Sequence, residues 1–159
     1  MQTTRVNEAN VAGATTAHRV VNRYLVAGGI LSAIAALLHL GCILFGALWY
    51  RFFGAGERMA QMAAAGHWYP AVAALMIAGI LSVWSLYAFS GAGVIRRLPL
   101  LRWVLCAITG IYLLRGIGFI AIVANFPGNS AMFWIVSSAI CLAIGIVHLI
   151  GVRKAWSCL

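Results

Sequence analysis

Acidic residues are almost absent: the 159-residue chain has two, Glu8 and Glu57, against 11 lysines and arginines. That scarcity leaves no carboxylate pair to hold a divalent metal, and no nucleophile and base fall at a recognisable catalytic spacing. No catalytic or metal-ligating set is therefore expected. Charge of either sign is scarce too, at 8% of residues against 64% hydrophobic. A soluble domain of this size could not cover itself with so few charged groups, so the composition reads as membrane-spanning. None of the four cysteines, Cys42, Cys106, Cys141 and Cys158, stands in a CxxC or at zinc-ligand spacing, so free thiols are expected. A net charge of +9 in a soluble protein would suggest nucleic acid. Here the basic residues flank apolar runs, where they set orientation, and no nucleic-acid partner is expected.

What the sequence does contain is four apolar segments, at about 24–49, 70–91, 101–125 and 131–152. Each has the roughly 20 residues that a helical span requires. A barrel would alternate polar and apolar residues, so helices are expected. Arg5, Arg19, Arg23, Arg96, Arg97, Arg102, Arg153 and Lys154 fall on one side of these spans, and Arg51, Glu57 and Arg58 on the other. The positive-inside rule then places both termini in the cytoplasm, as short tails over 1–23 and 153–159. Connections are short, so the expected fold class is an all-α membrane protein, an antiparallel four-transmembrane-helix bundle. Small residues four apart would allow close helix approach: Gly29 and Ala33, Ser32 and Ala36, Ala78 and Ser82. Trp49, Tyr50, Trp68, Tyr69, Trp103, Trp134 and Trp156 sit near segment ends and read as interfacial belts. In "RFFGAGERMAQMAAAGHWYP", Gly54 and Gly56 could open a helix and Gly66 could close it. Two readings stand for this outer stretch, a short amphipathic helix on the membrane surface and an ordinary ordered loop.

"YRFFGAGERMA", "SGAGVIRRLPLLR" and "YLLRG" together resemble a family of small bacterial inner-membrane proteins with four predicted spans, over nearly the whole chain from Tyr24 to about Trp156. The resemblance implies a fold and a bacterial inner-membrane location, and no activity. It also marks the outer loop and the Arg115 segment as the distinctive parts.

Arg115 lies in the middle of "IYLLRGIGFI", otherwise fit for lipid. A charge near the bilayer midplane costs about 3 kcal/mol on insertion scales and usually faces an interior, pairs, and marks a site. The alternative is snorkelling to the headgroups. Counting residues puts Arg115 and His39 level, each roughly 22 Å above the basic end of its span, with His148 only about 6 Å up. That mismatch disfavours a haem held by His39 and His148, and no cofactor is expected. The expected ligand-binding set is Arg115, His39, Glu57, Tyr112, Trp84 and Ser138, in a polar pocket on the outer side, with Ser85 and Ser137 as further lining. Arg115 would be neutralised either by Glu57 or by a bound carboxylate or phosphate. The expected function is binding of a small amphipathic or anionic molecule, a lipid headgroup or a quinone-like compound. The alternatives are a structural or accessory subunit and a minimal dimeric transporter or channel, with an intramembrane enzyme ranked last. Membrane lipid, a small ligand and a second copy of the chain are the expected partners.

Overall fold

A computed structural model of the chain describes residues 21–118 and 131–159, and all regular structure among them is helical. Six α-helices follow in order: α1 Arg23–Phe45, α2 Ala47–Phe52, α3 Glu57–Ala64, α4 Trp68–Gly91, α5 Leu101–Ile117 and α6 Ala131–Ala155, with a 3₁₀ turn at Trp156–Cys158. Among the described residues, three stretches are long and apolar enough to cross a membrane: α1, α4 and Phe133–Cys158. At 1.5 Å per residue they run well past the roughly 30 Å of a hydrocarbon core. The segment expected at 101–125 is helical through Ile117, and its remainder from 119 lies outside the described residues.

None of the long helices α1, α4, α5 and α6 has a polar face. They carry large apolar side chains outward as well as inward, among them Leu37, Leu44, Trp103 and Leu114, and Leu44 is 80% exposed. A helix that is apolar all round belongs in a core or a bilayer. The inward faces are set by small residues. A Cβ on Gly29 would meet the Phe89 ring, on Gly116 it would meet Leu142, on Gly145 Leu113, and on Gly151 Leu25. Backbones therefore approach closely, as expected where burial of oil against oil supplies no driving force. α1 packs on α4 and α6, and α5 packs on α4 and α6, which closes a ring. Leu25, Leu105 and Ile108 fill its centre.

One end of the ring is tied together by Asn22. Its Oδ1 accepts from the backbone N–H groups of Tyr24 and Leu25, capping α1, and its Nδ2 donates to the Gly151 carbonyl at 2.7 Å. Its own N–H donates to the Ala92 carbonyl. Arg97 donates to the Cys158 carbonyl, Arg102 stacks on Trp156 at 3.7 Å, and Lys154 lies over Tyr24. The basic residues of the described chain thus gather at this end, apart from Arg51, Arg58 and Arg115. α6 continues through Ala155, and Leu159 packs against the core.

At the opposite end α1 stops at Phe45, short of the expected residue 49. Gly46 takes φ 65°, ψ −143°, a region essentially closed to other residues, and α2 leaves at a new angle. Gly54, at φ 67°, closes α2 with the double backbone bond of a Schellman turn: Gly54 to Arg51 and Ala55 to Tyr50. The outer stretch is a helix, α3, as one of the two readings has it. Its apolar face meets protein, however: Ala60 is fully buried with Cys42, Tyr50 and Ala74. Tyr50 and Trp134, expected at the membrane interface, are buried at 4% and 5% exposure.

Candidate functional site

α5 places two chemically different groups on its inner side. Tyr112 reaches toward the basic end. Its Oη shares a 2.9 Å hydrogen bond with Ser32 Oγ of α1, and Ser32 is fully buried. The edge of Trp84 meets the Tyr112 ring at 5.1 Å, and His148 lies against it at 5.4 Å. His148 is 0% exposed and sits over Gly28, where a Cβ would come within 2.5 Å of its ring. Its Nδ1 is 3.0 Å from the Ile144 carbonyl. A carbonyl only accepts, so this contact assigns the proton to Nδ1 and leaves Nε2 as an acceptor. Ser85 adds a bond from its Oγ to the Gly29 carbonyl at 2.8 Å. These groups form a polar seam through the ring, in which His148 Nε2 is buried without a partner among the described residues, and the seam suits a role in specifying helix register.

Arg115, one turn further along α5, is different. Its Nη2 donates to Ser137 Oγ at 3.3 Å, and its guanidinium lies 5.2 Å from the centre of the Trp134 ring. That distance is within the reach of a cation–π contact. Nη1 is buried and finds no acceptor among the described residues. Ser138, one turn along α6 from Trp134, is 3% exposed, and its hydroxyl likewise has no partner among them. The turn before α3 stands near this group, because a Cβ on Gly54 would run into the Phe133 ring, which in turn meets Trp134 edge-on.

Glu57 is not the counter-charge. It is held by Arg51, with Nε to Oε2 at 2.9 Å and Nη2 to Oε1 at 2.7 Å, and both side chains are about half exposed. Hydrogen bonds from Arg51 hold its carboxyl below the usual carboxylate range, with the charge of Arg51 adding to them. The chain's other acid, Glu8, precedes the described residues. His39 is half-buried and bonds its own helix, Nδ1 to the Ala35 carbonyl at 2.8 Å. No bond or ring contact joins His39, Glu57, Tyr112 or Trp84 to Arg115 among the described residues.

The six residues expected to share one pocket are therefore distributed. Tyr112 and Trp84 belong to the seam with Ser32 and His148. Arg115 belongs with Ser137 and Trp134. Ser138 is buried on α6 one turn from Trp134, with no bond to Arg115 among the described residues. His39 and Glu57 stand apart from both groups. A groove of about 630 Å³ between α5 and α6 lies elsewhere, near the basic end, and Arg115 is not part of its lining. Residue-by-residue reading of the sequence missed His148, Ser32 and Trp134 as neighbours of the named groups. A signal for the first was available, since Gly28 stands one turn before Ser32 and leaves room for a ring from another helix.

Comparison with known protein families, characterised proteins and solved structures finds no match. Function therefore has to be read from the chain's own groups.

Proposed function

We propose that the chain is a four-span inner-membrane protein, with its basic end and both termini in the cytoplasm, that holds the anionic head of an amphiphile at Arg115. Three stretches of spanning length and a fourth apolar helix, α5, support the span count. The clustering of Arg23, Arg96, Arg97, Arg102, Arg153 and Lys154 at one end supports the orientation. The observation that carries the binding reading is the guanidinium itself. A half-buried arginine has one nitrogen buried without an acceptor among the described residues, while its other terminal nitrogen reaches only a serine hydroxyl, Ser137, at 3.3 Å. Leaving a charged donor unsatisfied away from water is expensive, and a phosphate or carboxylate accepts two parallel bonds from the guanidinium fork. Glu57, engaged by Arg51, does not compete for the position.

Native mass spectrometry of detergent-extracted protein tests this. Wild type should retain an anionic amphiphile through delipidation, and Glu57→Gln should retain it equally. Arg115→Gln should lose it, and Arg115→Lys should hold it much more weakly, because an ammonium cannot offer the planar fork. Equal retention by wild type and Arg115→Gln would overturn the reading.

A further inference from the structure

The groove between α5 and α6 is a second site with a different character. Gly110, Leu113, Leu149 and Val152 make apolar walls, and Arg153 and Trp156 stand at its basic end. Its floor is open because Gly110 has no side chain, and a Cβ there would meet nothing within 4 Å. Its mouth is cationic. Arg153 is exposed and makes no hydrogen bond or ion pair among the described residues, and Arg102 is stacked on Trp156. Lys154, Arg96 and Arg97 belong to the same end of the molecule, and no acidic side chain lies there among the described residues.

We propose that this groove binds an anionic phospholipid of the leaflet that meets the basic end. One acyl chain lies along Gly110, Leu113, Leu149 and Val152, and the headgroup phosphate is held by Arg153. The choice of occupant follows from two matched features. An apolar channel of about 630 Å³ on the membrane-facing side of two helices suits a hydrocarbon chain. An unengaged guanidinium at the level of the headgroups suits a phosphate, and an indole beside it suits the interface. The inference rests on the chain's lying in a membrane. It does not depend on the Arg115 site, which is outside this groove.

Spin-labelled phosphatidylglycerol and spin-labelled phosphatidylcholine, each added to protein reconstituted in phosphatidylcholine vesicles, provide the test. The motionally restricted fraction measures relative association. Wild type should prefer phosphatidylglycerol about fivefold, the effect of one basic residue near an anionic headgroup. Arg153→Gln should bring that preference close to parity. Gly110→Leu puts a branched side chain into the channel at a position whose Cβ meets nothing within 4 Å, and should reduce restriction of both lipids. Gly79→Leu on α4 is the control, since a Cβ there also meets nothing within 4 Å but the position is not part of the groove's lining. It should behave as wild type. Parity between the two lipids in wild type, or a preference untouched by both Arg153→Gln and Gly110→Leu, would overturn the proposal. A preference removed by Arg115→Gln and kept by Arg153→Gln would also overturn it, while leaving the Arg115 reading in place.

Discussion

Ser32 and Tyr112 are the most informative pair to perturb, because each is the other's hydrogen-bond partner inside the ring. The bond is 2.9 Å long, and the residues are 0% and 5% exposed. Ser32→Ala leaves the phenol hydroxyl of Tyr112 in an apolar interior without its partner, which should cost about 1–3 kcal/mol. Tyr112→Phe should be milder. The ring still fills the space against Trp84 and His148, and a helical serine can turn its hydroxyl back to the carbonyl four residues earlier, here that of Gly28. The double variant removes both polar groups and should be little worse than Tyr112→Phe alone. The resulting coupling energy then approaches the cost of Ser32→Ala itself and should fall at about 1–1.7 kcal/mol, the upper part of the range for hydrogen bonds between membrane helices. Reversible unfolding in mixed micelles with increasing dodecyl sulfate, followed by far-UV ellipticity, measures all four corners of the cycle. Additivity within about 0.3 kcal/mol would mean the two hydroxyls do not meet and would refute the hydrogen bond that crosses the ring from α1 to α5.

Gly54→Ala should destabilise by more than about 2 kcal/mol in the same assay, since it combines a left-handed backbone with collision against Phe133. The Arg51–Glu57 pair should show a small acid dependence. The Glu57 carboxyl is held below its unfolded value, so the contribution is fully present above the ordinary carboxylate range and is lost as pH falls through the depressed value. Both groups are exposed, so the effect should shrink with added salt and vanish in Glu57→Gln. An acid dependence equally strong in Glu57→Gln would assign it elsewhere.

Element positions were legible in the sequence where hydropathy alone decides them, and hidden where a dihedral or an inward face does. The apolar run through "GALWY" continues past Gly46, so composition placed the end of the first span near residue 49. The break is a backbone conformation that only glycine readily adopts, and α1 ends at Phe45. Ser32 and Ala36 were legible as a packing face because small residues four apart mark close approach, and both are buried. The direction in which His148 points was not legible. A helix apolar on every side offers no polar stripe to orient it, so nothing in "IVHLI" separates a ring facing lipid from one lying between Gly28 and Tyr112. Glu57 was a reasonable partner for Arg115 on charge alone. The turn at Gly54 instead folds Glu57 back onto Arg51, six residues earlier, and a local pair formed by a tight turn outcompetes a distant one.

The central claim is that the Arg115 guanidinium is neutralised by something other than this chain. The most direct measurement is a structure of the protein in lipid nanodiscs that resolves that side chain and its surroundings. The account predicts non-protein density within hydrogen-bonding distance of Nη1. A guanidinium saturated by protein carbonyls, or turned outward among the headgroups away from Ser137 and Trp134, would contradict it.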